Sequence, residues 1–289
     1  MRFADSKQIP GYAELRNEAG ERITGYQYAD FAFHPYCHPL SLPNGRSLTL
    51  TAPADHPWHN GVAFAWKYLN GYNVWDFEAT GPKPGKVRHE EIRFSGDRPA
   101  LTHTLLWMDG KGTPLLRDVR TLEVGLDGKG FPVLDWHFHF TGLAEEVVCD
   151  RHVEWGGYGG FYVRFARGTD FQLLNAEGRT NWEEEERLRS RWCAFSLAMD
   201  GLPSRKFYEH HFGAAVFDHP DNPRHPTPWL TFNRLNMQKI MPAFIRDEPY
   251  TFACGDPLHL RYRVLTFAGK PDPRALETAW REWSGVGNE

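Results

Sequence analysis

Apolar and polar residues alternate with a period of two through much of this chain, and this restricts its fold more than any other feature. Such alternation turns one side of a strand towards a core and the other towards water. Turn residues (Gly, Pro, Asp or Asn) bound the alternating segments, as they do at strand ends. The clearest predicted strands are 86–94, 100–108, 120–126, 132–140 and 258–267. Three further predicted strands are 47–53, 62–68 and 213–220.

Helical signals are concentrated at the end of the chain. Asp272 suits an N-cap, Pro273 suits the first helical position, and Gly285 follows the last turn. The apolar residues that fall on one face are Leu276, Ala279, Trp280 and Trp283. We predict a helix over about 272–284 that packs on a sheet. The charged segment 182–192, "WEEEERLRSRW", allows either one exposed helical turn or an edge hairpin.

Many strands at short spacing and little helix predict an all-β fold, a two-sheet β-sandwich with a C-terminal helix. No repeat, low-complexity tract or linker divides the 289 residues, so we predict a single domain over 1–289. Aromatic residues make up 15% of the chain, which suits broad sheet surfaces and also platforms for flat ligands such as sugar rings.

Charge and cysteine usage narrow the partners. The net charge is −4 without a basic stripe, so we expect no nucleic acid. No apolar run of about 18 residues exists to span a membrane, and the N-terminus "MRFADSKQIPGYAEL" lacks the apolar region of a signal peptide. The cysteines are far apart and predict reduced thiols in a cytoplasmic protein. They are Cys37, Cys149, Cys193 and Cys254.

Three proline-stiffened loops are rich in histidine: "FHPYCHPL" (33–40), "DHPWHNG" (55–61) and "FDHPDNPRHPTPW" (217–229). Proline fixes φ and pushes the preceding residue to an extended conformation, so these loops can hold side chains in place for chemistry. The alternative is a purely structural role, in which each His-Pro pair forms a turn and the imidazole binds the local backbone. The candidates in these loops are His34, His38, Asp55, His56, His59, Asp218, His219, Arg224, His225 and Trp229.

Two further segments add polar candidates. "EWGGYGGFYVRF" (154–165) has four glycines within seven residues and runs towards a strand, unlike a phosphate-binding loop. Its candidates are Glu154, Tyr158 and Arg164. "NRLNMQKIMPAF" (233–244) predicts a loop dense in amides, with Asn236 as its candidate.

Three chemical uses of these residues compete. In acid–base catalysis, His56 and His225 would transfer protons, because imidazole titrates near neutrality. The carboxylate partners would be Asp55, Glu154 or Asp218. In metal catalysis, a divalent ion would be held by His56, His59 and His225, although the spacing matches no compact metal motif. In simple ligand recognition, polar side chains would bind hydroxyls while Trp58, Trp155, Tyr158 or Trp229 stacks on a ring. The predicted ligand-binding residues are His34, His38, His59, Tyr158, Arg164, His219, Arg224, Trp229 and Asn236.

Four motifs together resemble a bacterial group known as the PmoA family: "HPLSLPNG" (38–45), "DHPWHNGVAFAW" (55–66), "YGGFYVRF" (158–165) and "FDHPDNPRHPTPW" (217–229). The resemblance runs from about His34 to Phe267. That family usually reads Asp-His-Pro-His-His-Arg-Gly in the second motif. Here Trp58 replaces the middle His and Asn60 replaces the Arg, so this loop keeps two of three histidines.

The name of that family implies a methane-oxygenase subunit, which is a membrane protein, whereas this chain has no membrane-spanning run. The resemblance instead implies a β-supersandwich similar to galactose mutarotase. Because such proteins often accompany sugar-utilisation genes, it also implies a carbohydrate ligand.

Three functions follow as hypotheses. The leading one is a carbohydrate-active enzyme that acts on a sugar, glycoside or keto sugar by His/carboxylate chemistry, through hydrolysis, elimination or epimerisation. The alternatives are a metal-dependent lyase or oxygenase and a non-catalytic sugar-binding module. The sequence fixes neither the cofactor nor the oligomeric state.

Overall fold

Antiparallel strands dominate the computed structural model, which describes residues 1–29, 33–76, 82–183, 186–199, 211–234 and 236–287. The first strands are β1 (Arg2–Asp5), β2 (Tyr12–Arg16), β3 (Arg22–Gln27), β4 (Tyr36–Leu40), β5 (Val62–Ala65), β6 (Tyr68–Leu69), β7 (Tyr72–Asn73), β8 (Lys86–Phe94), β9 (Ala100–Met108), β10 (Pro114–Leu126) and β11 (Pro132–Gly142). They are followed by β12 (Glu146–Asp150), β13 (Gly160–Arg164), β14 (Gly168–Asn175), β15 (Arg189–Ser190), β16 (Trp192–Met199), β17 (His211–Asp218), β18 (Thr227–Arg234), β19 (Met237–Pro242), β20 (Tyr250–Ala253), β21 (Pro257–Ala268) and α1 (Pro273–Ser284).

Two large sheets face each other, which confirms the predicted all-β sandwich with a C-terminal helix. The nine-stranded sheet has the order β1-β2-β3-β4-β5-β13-β19-β18-β15. The eight-stranded sheet has the order β14-β16-β17-β21-β11-β10-β9-β8, and a four-stranded sheet has the order β20-β12-β6-β7. The strand pairings described are antiparallel. A single domain over residues 1–289 stays a prediction.

Alternation along β11 shows how the sequence builds the sandwich. Trp136, Phe138 and Phe140 are buried, while His137 and His139 between them are exposed. These two histidines therefore form the polar face of a half-buried sheet, as the pattern predicts. The core closes where aromatic rings from the two sheets meet, with Phe64 4.8 Å from Phe138 and Phe161 4.8 Å from Tyr262 between ring centroids.

The long alternating segments are confirmed as strands β8, β9, β10, β11 and β21 of the eight-stranded sheet, and the further predicted strand 213–220 is confirmed as β17 of the same sheet. The segment 62–68 divides into β5 and the start of β6. The predicted strand 47–53 is wrong, since only isolated bridges form there. The Ser47 hydroxyl binds the backbone of Thr49, and Ala52 has a φ of 44°, so local hydrogen bonds and a turn replace the ladder.

The predicted C-terminal helix is confirmed as α1. The Asp272 side chain accepts hydrogen bonds from the N–H groups of Arg274 and Ala275, and Gly285 ends the helix in the left-handed region. Its apolar face packs on the outer side of the eight-stranded sheet, in a cluster that holds Leu276, Trp280, Trp192 and Phe217. None of the helices in the described ranges combines the length and apolarity needed to cross a bilayer.

Two ambiguous or polar segments turn out to be strands. In 182–192 the described residues include the short edge strand β15, while Glu184 and Glu185 of the predicted helical turn lie outside the described residues. The segment 233–244, expected to be a loop, contains the end of β18 and the whole of β19. All six residues of β19 are buried, so both of its faces are covered and no alternation marks it in the sequence.

A buried ion pair lies inside the sandwich on β10. Asp118 and Arg120 are both fully buried, and the Arg120 guanidinium donates to the Asp118 carboxylate. The indole N–H of Trp107 donates to the same carboxylate at 3.0 Å. The free thiols lie elsewhere: Cys37, Cys149 and Cys193 are buried and Cys254 is exposed. A cytoplasmic location stays a prediction.

Strand register places a row of polar side chains on the outer face of the nine-stranded sheet. Arg164 of β13 is opposite Lys239 of β19, which is opposite Phe232 of β18. Residues directly opposite each other share a face. The neighbouring pair Val163 and Ile240 therefore points to the other face, towards the core. Arg164 and Lys239 are nonetheless buried, because chain segments between the strands cover this outer face.

Candidate functional site

A cavity of about 520 Å³ lies over this outer face. Its walls come from the loop before β5, the segment after β7, the turn before β13, and the facing ends of β18 and β19. The lining residues are Asp55, His56, Trp58, His59, Asp76, Trp155, Tyr158, Phe232, Arg234, Asn236, Met237 and Lys239. Cavities of this size that combine aromatic side chains with polar groups are typical of small-molecule sites.

The cavity has a buried floor and an exposed mouth. The floor is formed by His59, Lys239 and Asp76, which are 4%, 2% and 8% exposed. The mouth is formed by exposed side chains, namely Asp55, Trp155, Arg234 and Asn236. A ligand would therefore lose most of its water at the floor while its outer end stays accessible.

Local hydrogen bonds hold the loop that carries the two histidines. The N–H of His56 donates to Pro53 O at 2.9 Å, and the N–H of His59 donates to His56 O at 3.0 Å. Gly61 then brings the chain against β4 with a φ of 47°, and a Cβ there would lie 1.9 Å from Cys37 O. Only glycine fits this close approach, so the sequence Asp-His-Pro-Trp-His-Asn-Gly builds a rigid wall.

The two imidazoles of this loop stack on each other. The ring centroids of His56 and His59 are 4.9 Å apart with an interplanar angle of 6°. Trp58 meets His56 edge-on at 5.7 Å. Nδ1 of His56 lies 3.2 Å from Oδ2 of Asp55, whose other oxygen accepts a hydrogen bond from Arg167 at 3.2 Å. The imidazole of His56 thus lies between a carboxylate and a stacked ring, although its Nδ1 makes no hydrogen bond to the described residues.

Burial and neighbouring charges determine the charge of His59 and of Asp55. Burial, reinforced by Lys239 and Arg164, lowers the pKa of His59 well below its ordinary value, so this imidazole is neutral near neutral pH. Slight burial would raise the pKa of Asp55, but its backbone N–H, His56 and Arg167 outweigh that effect and lower it. The loop therefore presents an ionised carboxylate at the mouth and a neutral imidazole at the floor.

A second carboxylate is committed to interactions within the protein. One oxygen of Asp76 accepts from Lys67 Nζ at 2.6 Å and from Asn73 at 2.8 Å. The other oxygen accepts from the Tyr158 hydroxyl at 3.0 Å. Both Asp76 and Lys67 are buried. This pair fixes Tyr158, which the sequence predicts as a ligand-binding residue, in the cavity wall.

Aromatic rings surround the ammonium group of Lys239 at the floor. Nζ lies 4.8 Å from the ring centroid of Phe232 and 5.5 Å from those of Trp75 and Tyr158. Aromatic faces at such distances attract an ammonium group. The amine of Lys239 therefore lies at the floor among aromatic rings, next to the neutral imidazole of His59.

Three predicted residues, two in the first loop and one on β13, have structural contacts around this site. His34 is fully buried and bonded to the Tyr162 hydroxyl at 2.8 Å, and burial lowers its pKa to about 3. His38 is bonded to Thr49, and burial lowers its pKa to about 4. Arg164 donates to the carbonyls of Gln238 and Asn236, which braces the turn between β18 and β19. None of His34, His38 and Arg164 lines the cavity, although Asn236 does.

The structure does not bring the third histidine-rich loop to this cavity. His225 Nδ1 is 2.7 Å from Oδ2 of Asp218, and its ring stacks on Trp280 of α1 with an interplanar angle of 4°. Asp218 also accepts from Asn222 and from the N–H of Thr227. Burial raises the pKa of Asp218, although these donors oppose the rise. The Asp-His pair therefore fastens the loop to the C-terminal helix, and the convergence expected for the three loops is not found.

The remaining candidates of that loop are also held in structural contacts. His219 lies edge-on against Trp283, 5.1 Å between ring centroids. Arg224 donates to the carbonyls of Phe244, Glu248 and Pro249. Trp229 is fully buried and donates to Ser190 O, so it offers no stacking face to a ligand. Glu154 is exposed beside the mouth but does not line the cavity.

Replacing His225 with alanine tests this structural assignment. The change removes one of the donors that stabilise the buried Asp218 carboxylate, so we expect the free energy of unfolding to fall by about 1–3 kcal/mol. Urea denaturation measures the loss. Ligand binding at the cavity should be unchanged once the variant is folded. A variant of normal stability that no longer binds ligand would instead place His225 in the site.

The predicted metal set of His56, His59 and His225 is split between the two places. Within the described ranges, no three His, Cys, Asp or Glu side chains are grouped as metal ligands. Sequence reasoning missed several cavity residues, namely Asp76, Phe232 and Lys239. They belong to no local motif, because strand register and loop packing bring them together.

Comparisons with known proteins give a family but no activity. A family model described as a family of unknown function, DUF6807, matches residues 16–281. No curated protein matches significantly. A solved structure, a putative kojibiose phosphorylase from the human microbiome, is similar over 97% of this chain with 9% identity and a TM-score of 0.38. The chain spans 36% of that protein's length, and a similarity this low carries no argument about function. The PmoA and mutarotase names occur in neither match.

Proposed function

Because this chain belongs to DUF6807, a family of unknown function, we propose its activity from the cavity itself: a carbohydrate-active enzyme that transfers a proton on a sugar. The observation that carries the proposal is the stacked pair of His56 and His59 beside Asp55, inside a cavity with aromatic walls. Aromatic faces bind the apolar sides of sugar rings, while imidazole and amide groups bind hydroxyls.

His56 is the proposed proton-transfer group. The Asp55 carboxylate beside Nδ1 favours a proton on that nitrogen, which leaves Nε2 to take a proton from a ligand or return it. His59 stacks behind it and stays neutral, so it does not repel the charge that His56 gains. Of the three loops predicted to form the site, the proposal therefore keeps the Asp55–His59 loop.

The charges at the floor favour proton transfer next to a carbonyl over glycoside hydrolysis. Removing such a proton moves negative charge onto the carbonyl oxygen, and the Lys239 ammonium at the floor would stabilise that charge. Hydrolysis commonly needs two carboxylates that face the scissile bond. Here Asp76 already binds Lys67, Asn73 and Tyr158. Epimerisation or elimination of a keto sugar is thus the reaction that the geometry supports best.

Deuterium exchange tests the proposal directly. An enzyme that removes a proton next to a carbonyl replaces it with deuterium from D₂O, whatever the later fate of the sugar. We expect the protein to exchange such a proton in at least one of a panel of ketohexoses, hexuronates and chemically oxidised disaccharides. NMR and a mass increase of one unit detect the exchange. The His139→Ala variant is the matched control, since this histidine is exposed on the eight-stranded sheet.

The outcomes separate the proposed enzyme from the non-catalytic alternative. Tryptophan fluorescence reports binding independently, because Trp58 and Trp155 line the cavity. Sugars that quench this fluorescence but exchange no proton would overturn the enzyme and favour a binding module. Activity that appears only after adding a divalent ion would instead favour the metal-dependent alternative.

A further inference from the structure

Trp155 is the most conspicuous unexplained side chain at the cavity. It lines the mouth, yet 68% of its surface is exposed to water. The other large aromatic residues of the wall, Trp58, Tyr158 and Phe232, are partly buried. An indole is costly to leave in water and gains stability when another surface covers it.

The backbone that carries Trp155 is held firmly. Trp155 ends a short 3-10 turn (Val153–Trp155), and Gly156 and Gly157 follow with φ of 77° and 79°. The N–H of Gly157 donates to His152 O at 2.9 Å, and Arg246 donates to Gly156 O at 3.1 Å. A Cβ on Gly157 would lie 2.6 Å from Arg246 O, so the turn fits against that segment only with glycine. The exposure of the indole is therefore built into the fold.

Aromatic rings connect this turn with the floor of the cavity. Trp155 meets His152 edge-on at 6.3 Å, and His152 is parallel to Tyr158 at 6.2 Å. The Tyr158 hydroxyl donates to Asp76 at the floor. A ligand that binds His56 and Lys239 inside can thus extend along this row to the indole. Exposed Arg234 and Asn236 at the same mouth can bind hydroxyls of its outer part.

We propose that Trp155 forms a second sugar subsite, so that the ligand has at least two rings and is a disaccharide or other glycoside rather than a free monosaccharide. The reacting ring would occupy the floor, and the indole would stack on the next ring. This inference rests on the proposed function for the identity of the ligand as a sugar.

Matched pairs of sugars test the second subsite. The probes are glucose with cellobiose and maltose, galactose with lactose, and xylose with xylobiose, measured by titration calorimetry. We expect at least one disaccharide to bind about tenfold more tightly than its monosaccharide. Trp155→Ala should remove this advantage and leave the monosaccharide affinity unchanged. Val153→Ala is the matched control, because Val153 is on the same turn, is 65% exposed and does not line the cavity.

Two results would overturn the subsite. One is that no disaccharide binds better than its monosaccharide, and the other is that Trp155→Ala leaves the disaccharide advantage intact or weakens both sugars equally. Failure of the proposed reaction is distinguishable: disaccharide binding that depends on Trp155 without deuterium exchange would keep the subsite and remove the enzyme. Deuterium exchange on monosaccharides, with no disaccharide bound more tightly than its monosaccharide, would keep the proposed enzyme and remove the subsite.

Discussion

Replacing His56 with alanine should lower the rate of deuterium exchange by about 10²–10⁴-fold, which is the usual contribution of a positioned general acid or base. The physical reason is the loss of the one imidazole that both lines the cavity and has a carboxylate at Nδ1. Because His56 is half-buried and the loop is held by backbone bonds, the fold should persist. Rates for saturating sugar, measured by NMR in D₂O, check the prediction.

Companion variants separate chemistry from binding. Asp55→Asn should cause a smaller loss, because the amide still occupies the place beside Nδ1 but no longer stabilises a charged imidazole. His139→Ala should leave the rate unchanged. Loss of a general base should leave a much smaller residual rate than about one-tenth of the original. If His56→Ala keeps more than that while its circular dichroism is normal, another group moves the proton.

Replacing Asp118 with alanine should lower the free energy of unfolding by about 3–5 kcal/mol, the range for breaking a buried ion pair on one side. The variant leaves the Arg120 guanidinium fully buried without its carboxylate, and Nη1 of Arg120 already has no hydrogen-bond partner. The indole N–H of Trp107 loses its acceptor as well. Urea or thermal denaturation with reversible refolding measures the change.

An exposed pair on the same strand provides the control. Glu123 of β10 is bonded to Arg98 at 3.2 Å, and both side chains are about half exposed. Glu123→Ala should therefore change stability by less than about 1 kcal/mol. If Asp118→Ala and Glu123→Ala lower the free energy of unfolding equally, burial does not determine how much the Asp118–Arg120 pair contributes to stability. A loss below about 1 kcal/mol in Asp118→Ala would contradict the prediction outright.

The strands that the sequence marks most clearly have one face in water. β8, β10, β11 and β21 alternate because one side contacts the core and the other contacts water. β5 and β19 are buried on both faces, so their sequences carry no period of two. The polar residues Gln238 and Lys239 of β19 suggest a loop from sequence alone, because the segments that bury them are known only from the structure.

The site was predictable only where the chain marks it locally. The Asp-His-Pro signature predicts two stiff loops. In the proposed function the first loop, at Asp55, binds the ligand, whereas the second, at Asp218, anchors the C-terminal helix. The two loops differ in whether their polar groups form hydrogen bonds with each other. The Asp218 carboxylate accepts hydrogen bonds from Asn222, His225 and Thr227 of its own loop. Lys239 and Asp76 reach the cavity through register and packing, which depend on the complete fold and leave no local motif.

The cavity draws its walls from residues as far apart in the chain as Asp55 and Lys239. The site therefore exists only while β5, β13, β18 and β19 remain assembled, and a ligand that binds it must oppose the unfolding of that sheet. By mass action, a ligand at 100 times its dissociation constant adds about 2.7 kcal/mol to the stability of the folded state. The melting temperature of the protein is thus itself a detector, with which a library of sugars can be searched before any reaction is known.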